Sequence, residues 1–312
     1  MNIHFWGVRG SLPTPLTPEQ VQFKISSVVQ KISAKDIESP EARKAFLDSL
    51  PAWLYGTVGG NTPCVEVNGE AGTKIVFDAG TGIRVMGKDG TPPRDLHYNL
   101  VFSHFHWDHI QGLPFFVPAY NPAASLDIYS PFADMKEHLS GQMVPPYYPV
   151  RFDALTKNIT FHTVEPLVKF PVGEFTVSCV QMSHPGKSFS YLVEEGGRKF
   201  VYATDVELTP KDFVHVPDME AVFGGADVLV LDSQYTVEEA LRKENWGHSA
   251  FCYAIDFAIT WGAKKVFLFH HEPTYDDRRL QTILESANWY SKYVGHEDIE
   301  IHIATENQDV KL

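Results

Sequence analysis

Between Phe102 and Ile110 the chain reads Ser103-His104-Phe105-His106-Trp107-Asp108-His109, three imidazoles and a carboxylate within six residues. The run follows the apolar stretch Asn99-Leu100-Val101-Phe102 and precedes Gly112-Leu113-Pro114-Phe115-Phe116, so it falls where a buried strand gives way to a loop. Neutral imidazole nitrogens together with a hard carboxylate oxygen suit a divalent cation such as zinc, manganese or iron. One histidine at a strand end is ordinarily a hydrogen-bonded structural residue; four ligand-type side chains at H-x-H-x-D-H spacing are not accounted for that way. Side chains alternate along a strand, so His104 and His106 share a face while Asp108 and His109 fall on the following turn. The pattern predicts a metal centre, and two neighbouring metals rather than one, because the two pairs need not aim at the same point.

Other strand ends supply further candidates. Ser183-His184-Pro185 follows the strand-like run Phe175 to Met182, and Thr204-Asp205 follows Lys199 to Ala203. A strand-end aspartate can bridge two metals, which makes Asp205 the expected partner of the first cluster. Val266 to Phe269 ends in His270-His271-Glu272-Pro273, where either histidine is available as a ligand and His270 falls first after the strand. Lys74 to Phe77 ends in Asp78-Ala79-Gly80-Thr81-Gly82. There Asp78 is expected either to orient a ligand histidine through its second ring N–H or to cap the turn. In the opening turn, Gly7-Val8-Arg9-Gly10-Ser11, Arg9 is the candidate anion contact, with His271 as a second candidate substrate contact.

The elements that must carry these groups alternate. Strands are expected at Leu126 to Tyr129, Ile159 to Phe161, Ser188 to Val193 and Val228 to Leu231. Helices are expected at Ala250 to Trp261, with Gly262 at the C-cap position, and at Asp276 to Tyr293; a last strand follows at Ile299 to Ile303. Residues 16 to 55 read differently. Thr17-Pro18-Glu19-Gln20 has the composition of a capped helix start, Val21, Ile25, Val28, Val29 and Ile32 recur at helical spacing, and Ser39-Pro40 opens a second helix. The expectation is one domain over 1–312 with a helical insertion at about 16–55, serving as a lid or as a homodimer contact.

Composition limits the function classes. There is no apolar run near the roughly 18 residues a membrane span needs and no signal-like start, so a cytoplasmic protein is expected. Cys64, Cys179 and Cys252 are isolated and offer no thiolate cluster. Lys plus Arg number 26 against 39 Asp plus Glu, a formal charge of −13. That field disfavours a long nucleic acid and favours a small phosphorylated substrate, whose charge bound metals would offset locally.

With these pieces in order, the chain resembles the metallo-β-lactamase-fold superfamily of metallo-hydrolases, through His104-x-His106-x-Asp108-His109, His184, Asp205, His270 and Asp78-x-Gly80-x-Gly82. The resemblance implies an α/β fold, an αββα sandwich of two mixed sheets flanked by helices, with two divalent metals at one edge: zinc first, manganese or iron as alternatives. His104, His106 and His184 would hold one metal, Asp108, His109 and His270 the other, with Asp205 between them. Gly247-His248-Ser249 before an Ala-rich helix is similar to the corresponding stretch of tRNase Z, which implies a general-acid or phosphate-contact role for His248. The basic arm of tRNase Z is absent, and His271-Glu272-Pro273 replaces the run expected after the last ligand. The function implied is a phosphodiesterase in which a metal-bridging hydroxide, oriented by Asp108, attacks a small phosphodiester, foremost a 3′,5′-cyclic nucleotide (cyclic AMP or cyclic GMP). The alternatives are a tRNase Z-like or 2′,3′-cyclic phosphate phosphodiesterase, a lactonase or other hydrolase of the same fold, and a nucleotide-binding module without turnover.

Overall fold

The computed structural model describes residues Met1–Leu312. Six strands, β1 (Asn2–Gly7), β2 (Cys64–Asn68), β3 (Lys74–Phe77), β4 (His97–Val101), β5 (Ser125–Ser130) and β6 (Ile159–Thr163), open the first sheet. The second takes β7 (Phe170–Val172), β8 (Phe175–Met182), β9 (Ser188–Glu195), β10 (Arg198–Ala203), β11 (Val228–Asp232), β12 (Lys265–Phe269) and β13 (Glu300–Ile303). The chain then returns to the first sheet as β14 (Asp309–Lys311), giving the spatial orders β14-β1-β2-β3-β4-β5-β6 and β13-β12-β11-β10-β9-β8-β7.

Alternation along the strands decides which face each residue covers. Ile75 and Phe77 of β3 join the larger core between the sheets, while Val76 joins a smaller core on the outer side of the first sheet with Trp6, Leu100, Phe102 and Phe116. Phe77 meets Tyr191, Phe200 and Tyr202 of the opposite sheet at ring-centroid distances of 5.6, 6.0 and 4.9 Å. Truncating a buried phenylalanine of this kind costs about 3–5 kcal/mol. Outside the sheets, the helix Gly82–Asp89 buries Ile83 and Met86 on the smaller core, and the helix Phe251–Thr260 buries Ala254, Ile255, Phe257 and Ala258 on the larger. This is the expected sandwich of two mixed sheets with helices on both sides.

Strand direction positions the site. β3 to β6 run parallel, as do β10 to β13, and β8 runs in the sense of β10 because each is antiparallel to β9. Loops at the carboxyl ends of such strands gather along one edge, the usual place for ligands in open sheets. Asp78, the His104–His109 run, His184, Asp205 and His270 all lie just beyond such ends.

The insertion forms the two expected helices, Pro18–Lys31 and Pro40–Ser49, plus a short turn of helix at Ala52–Tyr55. Its capping box is made: the Gln20 amide donates to Thr17 Oγ1 at 3.3 Å and the Thr17 amide to Gln20 Oε1 at 2.9 Å. Neither of the two longer helices buries a residue, and the stripe of Val21, Ile25 and Val29 faces outward, 41%, 60% and 64% exposed. Lys24 ties the first helix to the body, its Nζ donating to Asp277 Oδ2 at 2.5 Å and to the carbonyls of Trp53 and Gly56 at 2.7 Å each. Two short edge strands, β7 and β14, go beyond the expected elements; β7 carries Pro171, which disguises it because proline is tolerated only at such edges. No helix is long and apolar enough to cross a membrane.

Candidate metal centre

At the shared edge, seven side chains converge in two adjoining groups. Ligand-type atoms of His104, His106, His184 and Asp205 lie within 4.8 Å of one another, as do those of Asp108, His109 and His270. In the second group His109 Nε2 is 3.3 Å from His270 Nε2 and 3.3 Å from Asp108 Oδ2, and His270 Nε2 is 3.2 Å from Asp108 Oδ2. Four ligands at zinc-type bond lengths around a tetrahedral ion stand about 3.3 Å apart. Asp205 faces both groups with different oxygens. Its Oδ1 lies 3.5 Å from His104 Nε2 and 3.8 Å from His184 Nε2, whereas Oδ2 lies 3.0 Å from His109 Nε2 and 3.3 Å from His270 Nε2.

The outer ring nitrogens fix the tautomers. His109 Nδ1 donates to Asp78 Oδ2 at 2.8 Å, His184 Nδ1 to the Gly247 carbonyl at 2.8 Å, His270 Nδ1 to Gln234 Oε1 at 3.1 Å and His104 Nδ1 to Ser103 Oγ at 3.0 Å. Each therefore turns an Nε2 lone pair inward, and His106 offers Nδ1, 3.1 Å from His184 Nε2. His104 Nε2 is buried without any hydrogen-bond partner, a costly state for a polar atom unless a cation completes it. Burial first, then neighbouring imidazoles, keeps His104 well below the usual histidine range, in the neutral form that ligates. Burial also opposes charge on His109, but Asp205, Asp108 and Asp78 outweigh it and raise its pKa well above normal, a measure of the surplus negative charge that a bound cation would meet. Asp78 takes the orienting place, accepting from the Ser103 amide and hydroxyl at 2.8 Å each, from His109, and from Tyr202 OH at 2.9 Å. The donor set thus fits two divalent cations.

His248 stands between the two groups. Its ring is stacked on that of His270 at 4.9 Å, lies 5.4 Å from that of His184, and has a nitrogen within 4.8 Å of ligand-type atoms of Asp205 and His270. Its Nδ1 donates to Asp232 Oδ2 at 2.7 Å, and Asp232 Oδ1 accepts from the amides of Ser249 at 3.0 Å and Gln234 at 3.3 Å. Burial disfavours charge on His248, yet the carboxylates of Asp232 first, then Asp205 and Asp108, overcome it and push the pKa up to about 9. With Nδ1–H given to Asp232, its Nε2 is the ring atom left for chemistry at the centre. Asp232 was not among the residues singled out from the sequence; its one signal is its position as a carboxylate closing the apolar run Val228 to Leu231.

Two expectations are corrected. Arg9 is no anion contact: it is 2% exposed, and its guanidinium donates to the carbonyls of Gly59 at 2.9 Å and Tyr275 at 2.7 Å, with Asp277 Oδ1 3.8 Å away. His271 is no substrate contact either; it is buried, with Nε2 donating to the Ala304 carbonyl at 2.9 Å, because the strand alternation that turns His270 to the site turns its neighbour away. The backbone of the opening turn does reach the centre. The Ser11 amide donates to Asp108 Oδ2 at 2.8 Å, and a Cβ on Gly10 would stand 2.5 Å from His270 Nδ1, so only glycine fits there.

A family model described as a beta-lactamase superfamily domain matches residues 73–271, a span that holds every one of the converging groups. The chain belongs to that family. Ribonuclease Z of Acaryochloris marina is 25% identical to this beta-lactamase superfamily member over 262 residues, 68% of this chain and 82% of that protein. Among solved structures, the metallo-beta-lactamase fold protein YhfI from Bacillus subtilis superposes with a TM-score of 0.65 at 15% identity, over 99% of this chain and 98% of that one. The short form of human tRNase Z superposes at 0.61 with 17% identity, over 100% and 99%. At these identities the structural likeness is one of fold.

Proposed function

We propose that this family member is a dinuclear metal-dependent phosphodiesterase, its metals held by His104, His106 and His184 on one side and by Asp108, His109 and His270 on the other, with Asp205 between them. The observation that carries the reading is the His248–Asp232 pair, an imidazole fixed by a buried carboxylate between the two ligand groups and placed to act as an acid. Two divalent cations, when bound, lower the pKa of a water and offset phosphoryl charge. Asp108 orients the nucleophile while its Oδ2 is fixed by the Ser11 amide. His248 delivers its proton to the departing oxygen and recovers it from solvent, with Asp232 stabilising the charged form throughout. The ribonuclease Z relatives favour phosphoryl chemistry over hydrolysis of carbon–oxygen or carbon–nitrogen bonds.

The substrate we assign is a small diester, foremost a 3′,5′-cyclic nucleotide. The −13 charge and the withdrawal of Arg9 into the protein favour a small substrate over a polyanion. The names of the relatives favour a second reading, cleavage of a transfer-RNA precursor. Both are tested by loading the purified protein with zinc or manganese and assaying cyclic AMP, cyclic GMP, a 2′,3′-cyclic nucleotide, bis-p-nitrophenyl phosphate and a precursor tRNA. Turnover of the cyclic nucleotides with no cleavage of the RNA is expected; cleavage of the RNA alone would reverse the assignment, and inactivity on all five would refute the phosphodiesterase reading.

A further inference from the structure

Next to His248 the chain presents an indole that packing does not explain. Trp246 is 61% exposed, yet the backbone on both sides of it is clamped: the amides of Asn245 and Gly247 each donate to the Glu207 carboxylate at 2.8 Å, one to each oxygen. Both clamped residues are in the left-handed region, Asn245 at φ 66° and Gly247 at φ 89°, and a Cβ on Gly247 would stand 2.1 Å from His184 Nδ1. The loop is held against the centre, since the Gly247 carbonyl receives His184 Nδ1–H. The clamped loop thus holds a large apolar ring in solvent beside the centre.

The neighbours of the indole point to what it would contact. Lys243 Nζ sits 4.2 Å from the centroid of Tyr235 and 5.7 Å from that of Trp246, and the Tyr235 ring stands edge-on to His248 at 5.7 Å. A tyrosine, a cation and an indole thus follow one another away from the proposed acid. Trp246 is two residues from His248, so their Cα atoms are at most about 7 Å apart. That reach suits a group attached through one sugar to a phosphate lying at the metals. A planar heterocycle stacks on an indole whatever its hydrogen-bonding edge.

We propose that Trp246 is the stacking platform for the base of a nucleotide substrate, with Lys243 as the cation beside it. This rests on the phosphodiesterase reading and adds to it a base-binding subsite on the side of His248. Trp107 is the other exposed indole near the centre, at 71%, but it lies inside the ligand run and has no cation over its ring.

The test compares adenosine 3′,5′-cyclic phosphate with ribose 3′,5′-cyclic phosphate lacking the base, on the metal-loaded full chain. The unmodified protein is expected to prefer the base-bearing substrate. Trp246→Ala is expected to reduce that preference by about 5- to 100-fold, mainly through KM, with Trp246→Phe retaining most of it. Equal losses on both substrates, an unchanged preference, or a loss in Trp107→Ala with none in Trp246→Ala would overturn the assignment. Should neither diester be hydrolysed, the cyclic-nucleotide assignment fails on its own. Calorimetric binding of adenosine 5′-monophosphate then decides the platform: weaker binding to Trp246→Ala supports it, and equal binding to both proteins overturns it.

Discussion

Exchanging Asp232 for asparagine isolates the charge of the acid's partner. The amide oxygen still accepts from the Ser249 and Gln234 amides, so the turn after β11 keeps its backbone bonds. What is lost is the negative charge 2.7 Å from His248 Nδ1. Burial depresses His248, and Asp232 first, then Asp205 and Asp108, raise it to about 9. Near pH 7.5 a group with that pKa is about 97% protonated, whereas one returned to its ordinary value of about 6.5 is only about 10% protonated. On that return the acid form falls by about tenfold. Turnover of a cyclic nucleotide, whose leaving alkoxide needs a proton, should drop by about tenfold near that pH. Cleavage of bis-p-nitrophenyl phosphate, whose leaving group departs unprotonated, should change little, and metal content should not change. Equal losses on both substrates, or no loss on either, would refute the role given to the pair.

Asp78→Asn removes the acceptor that fixes His109 and Ser103 and should weaken metal binding by about 10- to 100-fold in a zinc titration, with activity recovered at high metal; unchanged affinity would contradict the orienting role. Arg9→Met leaves the Gly59 and Tyr275 carbonyls without their buried donor and should cost about 2–4 kcal/mol in urea unfolding with KM unaltered; a raised KM at unaltered stability would restore the anion-contact reading. His271 is depressed to about 3 by burial and by Arg9, so below its unfolded value of about 6.5 the unfolded chain binds the extra proton and stability falls with pH. By pH 5 this amounts to about 2 kcal/mol, and His271→Gln should flatten that part of the stability–pH curve; an identical slope in both proteins would show that another group titrates. Chelation should lower Tm, since a metal at 100 times its Kd adds about 2.7 kcal/mol to the folded state; a Tm indifferent to chelator would argue against resident cations.

How much of this was legible in the sequence depended on whether side-chain type or three-dimensional neighbourhood carried the information. His104, His106, Asp108, His109, His184, Asp205 and His270 announce themselves by chemistry at strand ends, and the fold does bring them together. The helices of the insertion were readable from Thr17, Pro18 and Gln20, because capping is local. Whether its apolar stripe is covered was not readable, since periodicity shows that a face exists and not what lies against it. Arg9 was misread for the same reason. A Gly-rich turn beside an arginine looks like an anion site until the carbonyls of Gly59 and Tyr275, 50 and 266 residues away, are found to surround it. Asp232 was missed because an aspartate ending an apolar run is also the commonest kind of turn residue, and only its pairing with His248 gives it a role.

The backbone supplies an argument for the site that is independent of residue type. Asp78, Asp205 and His270 have φ of 59°, 53° and 60°, three non-glycine residues in the left-handed region, each just beyond a strand end at the metal edge. That conformation costs about 1–2 kcal/mol for an ordinary residue, so the three together set about 3–6 kcal/mol against a net stability that is only about 5–15 kcal/mol for a typical domain. Glycine would relieve the strain at any of them. Each position instead keeps a side chain whose atoms contact the convergent groups: Asp78 on His109, Asp205 on both ligand sets, His270 on Asp108. A turn whose only task was to reverse the chain would not need that combination. Strain retained together with a ligand-type side chain, three times on one edge, is what a centre that must aim its groups at fixed points requires.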